Sequence, residues 1–207
     1  MISKEEMYKA MDVRFGKDIH DKLRNGRVAI AGLGGLGSHI AIMLARCGIE
    51  NLCIIDFDKI DITNLNRQEY HVEEIGKYKT EAMKERIYHI NPYINTKVFC
   101  GKVTPQNIEE IFKDYDIICE AFDKPDQKAM LINGIFETFP DKKIVAGSGL
   151  AGFDDCNKIV TKKVFKNLYM CGDGSTDVAD GIGLMAPRVM VCAGHQANKV
   201  VQLLIEK

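Results

Sequence analysis

The run Gly32-Leu33-Gly34-Gly35-Leu36-Gly37 has the residue types and spacing to hold an anion by its backbone. Gly32, Gly34 and Gly37 satisfy G-x-G-x-x-G, and Gly35 adds a further position without a Cβ. Such a turn lets main chain approach a phosphate closely. A helix opening behind it presents unpaired N–H groups and the positive end of its dipole. Asp56 ends the next apolar run, Asn51–Ile55, where a carboxylate can accept hydrogen bonds from ribose hydroxyls; Asp58 follows two residues on. So far NAD, FAD and ATP are served equally. Asn64, Arg67 and Lys79 separate them. A dinucleotide pyrophosphate is largely satisfied by backbone amides, whereas a triphosphate carries more charge and its cleavage benefits from cations. Arg67 offers a planar fork for phosphate oxygens, Lys79 a mobile point charge, and Asn64 hydrogen bonds without charge. The grouping favours ATP. An NAD(P)-dependent oxidoreductase is the rival: it leaves Arg67 and Lys79 unused, and the chain offers no obvious catalytic Tyr-x-x-x-Lys or His–acid pair for hydride transfer.

These residues need a frame, and the chain supplies an alternating one. Ser3-Lys4-Glu5-Glu6 forms a capping box that predicts one helix running towards Leu23. Strands are predicted at Arg27–Ala31, Asn51–Ile55, Thr96–Cys100, Asp116–Glu120 and Lys143–Ala146. Helices are predicted between them at Ile40–Cys47, Lys77–Ile90, Thr104–Tyr115 (Pro105 in its first turn) and Asp126–Phe139. Strands separated by helices imply parallel βαβ units with helices on both faces. After Gly147 two shorter strands, Lys158–Phe165 and Leu168–Met170, are predicted to pair antiparallel. The loop CGDGSTDVADGIG then leads to a final helix from about Pro187 to Ile205. The expected class is α/β: a Rossmann-like, mostly parallel sheet flanked by helices, with a C-terminal antiparallel extension.

Composition narrows the partners. With 207 residues, 46% hydrophobic and 28% charged, one well-cored domain is expected. A net charge of −1 argues against bulk attraction to nucleic acid or membrane, so phosphate must meet placed cations. The start MISKEEMYKAMDVRF carries acidic residues and lacks an apolar h-region, which predicts no secretory signal. The seven cysteines include no C-x-x-C pair, so no structural zinc is expected, and the odd count fits a reducing cytoplasm.

GLGGLGS, DFDKIDITNLNRQ and IGKYKTEA together closely resemble the ThiF/MoeB/HesA family, relatives of the ubiquitin-activating enzymes. The resemblance runs from about Arg14 to the C-terminal helix. It implies a MgATP-dependent adenylyltransferase acting on the C-terminal glycine of a small ubiquitin-like sulfur-carrier protein with a Gly-Gly end, releasing pyrophosphate. It implies that Gly34, Asp56, Asn64, Arg67 and Lys79 bind ATP and that Asp123 binds magnesium, although the family's D-x-T-D-N is here Glu120-Ala-Phe-Asp-Lys124. It divides the chain into an arm (1–25), a nucleotide-binding core (26–150) and a carrier-binding part (151–207), whose loop Cys171–Gly183 crosses over the carrier's tail. The family's R-Y-x-R-Q arm, whose second arginine reaches into a partner subunit, is here Arg14-Phe15-Gly16-Lys17-Asp18. That implies a homodimer in which Arg14 or Lys17 acts in trans; both also suit a solvated helix surface. The family's covalent cysteine falls near Ala179, and Cys171 is the nearest thiol; its neighbour Asp173 disfavours a thiolate, so Cys171 reads as inert or regulatory. The short, zinc-free form resembles the thiamine-type branch. A carrier-docking nucleotide scaffold without activity is the third reading.

Overall fold

The computed structural model describes residues 2–178 and 181–206. Its strands are β1 (Arg27–Ala31), β2 (Asn51–Ile55), β3 (Asn95–Phe99), β4 (Ile117–Glu120), β5 (Lys143–Gly147), β6 (Val160–Phe165) and β7 (Leu168–Gly172). The helices are α1 (Lys4–Phe15), α2 (Lys17–Arg24), α3 (Gly35–Arg46), α4 (Lys79–Ile90), α5 (Ile108–Phe112), α6 (Pro125–Thr138) and α7 (Ala186–Ile205). One sheet runs in the order β3-β2-β1-β4-β5-β7-β6, every pairing parallel except β7 with β6.

Period-two patterning sorts the strands between two cores. Val28 and Ile30 of β1 point into the layer built with α3, α4 and α7, while Ala29 and Ala31 point into the layer built with α5 and α6. All four are fully buried. Truncating a side chain such as Ile30 to Ala would cost about 2–5 kcal/mol, because a close-packed interior relaxes only partly into the hole. The chain steps outward from β1 to β2 and β3, then returns to β4 on the other side of β1. This reversal opens a crevice beyond the carboxyl ends of β1 and β4, where α/β sheets bind ligands.

Several elements depart from the sequence expectation for definable reasons. The single N-terminal helix is two. Ser3 and Glu6 form the expected capping box, but Gly16 takes φ 82°, which ends α1 and turns the chain into α2. The helix expected over Thr104–Tyr115 shrinks to Ile108–Phe112, because Asn107 Oδ1 accepts the Thr104 N–H in a preceding turn (2.8 Å). Helix α3 opens at Gly35, earlier than Ile40, so the glycines are themselves the helix start. Strand β7 runs on to Gly172 and pairs parallel with β5 as well as antiparallel with β6. Cys171 therefore sits inside a strand, fully buried, and not in the loop.

Candidate functional site

The glycine turn is built by exclusion. A Cβ at Gly37 would stand 1.8 Å from the Gly32 carbonyl oxygen, and one at Gly32, where φ is 96°, 2.7 Å from that of Ala121. Both positions therefore require glycine for strand β1, helix α3 and the end of β4 to meet. Gly34 differs: only Gln68 Nε2, at 3.9 Å, lies near the place of its Cβ. Its open side faces space a ligand can use. No side chain caps the N-terminus of α3, which leaves its first N–H groups available to an anion.

Asp56 fixes this turn from β2. It is 9% exposed, and its Oδ2 accepts the Leu33 N–H (2.7 Å) while Oδ1 accepts the Asp58 N–H (2.8 Å). Burial pushes its carboxyl above the usual range, and the Lys79 charge and the two N–H donors oppose the rise. Lys79 opens α4, is buried, and its Nζ donates to Asp58 Oδ2 (3.1 Å). Asp58 is thus the resting partner of Lys79.

A strap from Asp61 to Tyr70 folds back onto the glycine turn. Asp61 and Asn64 cap its opening reciprocally: Asn64 Oδ1 accepts the Asp61 N–H (3.1 Å), and Asp61 Oδ1 accepts that of Thr63 (2.8 Å). The Arg67 stem lies against Gly35, and its Nη1 donates to the Thr63 carbonyl (3.0 Å) and Asn66 Oδ1 (2.7 Å). His39 of α3 grips the strap, with Nε2 on the Arg67 carbonyl (3.1 Å) and Nδ1 on Glu69 Oε1 (2.9 Å). Buried Tyr70 donates from its hydroxyl to the Leu33 carbonyl (2.9 Å). Arg67 is therefore held beside the turn by the fold.

On the opposite wall, Phe122 packs on Gly32, and Asp123 follows it, exposed at the end of β4. Glu120 is fully buried, accepts the Phe122 N–H (2.7 Å) and pairs with Lys128 Nζ (2.8 Å), which also donates to the Gly147 carbonyl (3.1 Å). Burial raises the Glu120 carboxyl, and the Lys128 charge opposes the rise. Among the described residues no group of three or more His, Cys, Asp or Glu is placed to hold a metal alone. One exposed carboxylate fits magnesium that takes its other ligands from phosphates and water, the usual habit of that ion.

The C-terminal part reaches the same rim. Val189 of α7 touches Gly35, and Asn66 Nδ2 donates to the Leu184 carbonyl (3.4 Å). Asp173 leaves β7 and accepts N–H groups from Ser175 (2.7 Å) and Thr176 (2.9 Å), and its Oδ2 pairs with buried Arg188. Burial would push its carboxyl up, but the hydrogen bonds from Thr176 and Ser175 prevail and hold it at about 2. Burial raises the Cys171 thiol, so the fold gives no thiolate there; Ala179 lies outside the described residues. Arg14 and Lys17 are not brought to this rim. Tyr8 of their arm bonds Glu50 at the amino end of β2, and Lys17 is an exposed partner of Asp21 (2.8 Å). Five-residue strands place the two ends of the sheet roughly 15 Å apart.

A family model described as "ThiF family" matches residues 9–207. The chain belongs to the ThiF family. It is similar to the Aspergillus clavatus adenylyltransferase and sulfurtransferase uba4, at 40% identity over 50% of this chain and 21% of that protein. It is also similar to the Haemophilus influenzae tRNA threonylcarbamoyladenosine dehydratase, at 39% identity over 54% of this chain and 43% of that one. The chain thus spans less than half the length of these curated relatives. In fold it matches the ATP complex of the E. coli tRNA N6-threonylcarbamoyladenosine dehydratase, TcdA, with a TM-score of 0.88 at 23% identity, covering 100% of this chain and 97% of that one.

Within this ThiF-family chain, sequence reasoning passed over two polar groups that the fold buries at the rim. Gln68 is 8% exposed beside Gly34 with its Oε1 unpaired, and its place directly after Arg67 was the available signal. Arg188 stands in the first turn of α7, where a cation opposes the helix dipole. The cation in APRV was the available signal, and nothing local named its partner.

Proposed function

We propose that this chain adenylates a carboxylate with ATP, and that the carboxylate is the C-terminal glycine of a small ubiquitin-like carrier protein. One observation carries the reading: Arg67 lies against Gly35 at the uncapped N-terminus of α3, and Lys79 is held at Asp58, two residues after the Asp56 that fixes the turn open at Gly34. Two cations suit a triphosphate better than a dinucleotide.

In this reading the turn from Gly32 to Gly37 and the N–H groups of α3 receive phosphate oxygens. Asp56 retains lone pairs for a ribose hydroxyl while it holds the turn. Lys79 leaves Asp58 for the triphosphate, Arg67 supplies its fork, and Asn64 lends a neutral donor. Asp123 would hold magnesium, which when bound neutralises phosphate charge. The carrier's carboxylate attacks the α-phosphorus, an acyl–phosphate bond forms, and the bond to the leaving pyrophosphate breaks. No protein nucleophile is needed, so catalysis is positioning and charge stabilisation. The thiamine-type carrier, the homodimer and the arm acting in trans belong to the same proposal. Because Arg14 and Lys17 sit at the far end of the sheet, either can serve an active site only in a second copy.

The Haemophilus relative favours a second reading, in which the adenylated group is on a modified tRNA nucleoside. Lys and Arg (28) are matched by Asp and Glu (29) here, which gives RNA little general attraction and favours the protein substrate. Incubating the chain with MgATP and either substrate class decides between them by mass spectrometry. The proposal expects AMP attached to the Gly-Gly-ended protein and released pyrophosphate. An adduct on tRNA alone would establish the second reading, and binding of NADH in preference to ATP would defeat both.

A further inference from the structure

We propose that Arg188 is a positioning residue whose two unpaired guanidinium nitrogens receive main-chain carbonyl oxygens of the substrate's C-terminal tail. This rests on the adenylation of a protein C-terminus proposed above and names the part of the site that grips it.

Arg188 is 1% exposed, and its Nε and Nη1 are buried without a hydrogen-bond partner. Leaving charged donors dry and unpaired is among the costlier arrangements in a folded chain. The position adds a further cost, since a cation in the first turn faces the positive end of the dipole of α7. Asp173 offsets part of this through the one nitrogen it engages. The other two await acceptors.

Placement and charge define what those acceptors are. Asp173, which Arg188 engages, follows the carboxyl end of β7, and Gly149 beside it follows that of β5, so the guanidinium lies on the same carboxyl side of the sheet as the phosphate-binding turn. Asp173 already balances the guanidinium charge, and its carboxylate is fixed by Ser175 and Thr176. A second anion would meet a neutralised pair, whereas carbonyl oxygens supply hydrogen bonds without excess charge. The surrounding chain is glycine-rich: Gly149 borders Asp173, and buried Gly152 donates its N–H to the Gly183 carbonyl (2.8 Å), so main chain with little side-chain bulk lines this place. An extended tail suits such walls. Because the nitrogens are sealed, the tail reaches them by displacing neighbouring chain, and only residues without side chains pass closely enough. Glycine at the end of the substrate follows.

The test uses the full chain with a small ubiquitin-like protein ending in Gly-Gly as probe, and measures probe-dependent exchange of labelled pyrophosphate into ATP. Arg188→Lys keeps the charge opposite Asp173, and Arg188→Gln keeps polar bulk. Both are expected to raise the KM for the probe by about tenfold, the scale of losing one or two hydrogen bonds from a charged donor. ATP affinity should stay near wild type in both, and Arg188→Lys, which keeps the charge, should also melt near wild type, which a purely structural role would not allow; Arg188→Gln strands the buried Asp173 carboxylate and should melt lower. A probe in which an ester replaces the last peptide bond should weaken the wild type and leave the variants indifferent. An unchanged KM in both variants overturns the proposal, as does a rise matched by equal losses in ATP affinity and melting temperature. Should the variants not fold, the ester probe on the wild type decides, and equal KM for ester and amide is the contrary result. A wild type that binds ATP but shows no probe-dependent exchange defeats the adenylation reading itself, and the role of Arg188 falls with it.

Discussion

At the scale of single residues, the glycines of one motif do different work, and substitution should separate them. Gly37 has no room for a Cβ, whereas Gly34 has room and a negative φ of −77°. Gly37→Ala is therefore expected to lose both stability and nucleotide binding. Gly34→Ala should melt within about 3 °C of wild type, a change below ~1 kcal/mol for a chain of this size. Its new methyl would occupy the approach of a phosphate, and ATP affinity should fall about tenfold or more, at least ~1.4 kcal/mol. Calorimetric titration with ATP and a thermal melt on the two variants check this; equal ATP binding by Gly34→Ala and wild type would contradict it. The spacing of these glycines, Asp56 and Lys79 was readable because each sits on a local pattern: strand end, turn, helix start. Arg67 was readable as a charge but not as a held one, since its grip depends on His39, 28 residues earlier in the chain. Arg188 and Asp173 were not paired by any local signal, because their partnership is made by the return of α7 beside β7.

At the scale of elements, the crevice depends on how the ends of β4 and β5 are joined. Gln196 Nε2 donates to the Glu120 and Val145 carbonyls (3.2 Å each), and Lys128 ties the Glu120 carboxylate to the Gly147 carbonyl. Removing one partner of a buried ion pair strands the other charge, which typically costs 3–5 kcal/mol. Lys128→Met is expected to destabilise by about 3 kcal/mol and lower the melting temperature by roughly 6–12 °C. The double variant Glu120→Gln/Lys128→Met should recover part of the loss, because no charge remains buried. A thermal melt of the two proteins measures this, and a Lys128→Met melt at wild-type temperature would refute it. Alternation of strand and helix made the βαβ units legible. Where a boundary is set by a side chain bonding its own backbone, as at Asn107, or by a glycine inside an otherwise helical run, as at Gly16, periodicity alone misplaces it. The parallel pairing of β7 with β5 was hidden for another reason: partner choice is a long-range property, and a short strand's sequence specifies only its faces.

For the molecule as a whole, the sheet gathers the candidate site at one end. The glycine turn, the strap with Arg67, the end of β4 with Asp123, and the Asp173–Arg188 pair all lie beyond the carboxyl ends of parallel strands. The arm with Arg14 and Lys17 packs at the amino ends. No helix among the described residues is long and apolar enough to cross a membrane. The proposed arm in trans has a direct consequence for mixtures. Chains inactivated by Arg14→Ala/Lys17→Ala, mixed with chains inactivated by Arg67→Ala, should regain about a quarter of wild-type activity, because half the random dimers are mixed and each holds one intact site of two. No recovery after subunit exchange would remove the arm from the active site. The family and the α/β class were legible because three separated motifs had to be met together by one crevice; the partnership of Arg188 was not, because a buried side chain's surroundings depend on the assembled fold.

Activation of a protein's C-terminal carboxylate by ATP in this crevice can be measured as exchange of labelled pyrophosphate into ATP, with and without a Gly-Gly-ended ubiquitin-like protein. Exchange is expected only when that protein is present, and it should be lost in Arg67→Ala and Asp123→Ala. Exchange that ignores the protein, or that is equal in both variants and the wild type, would contradict that activation.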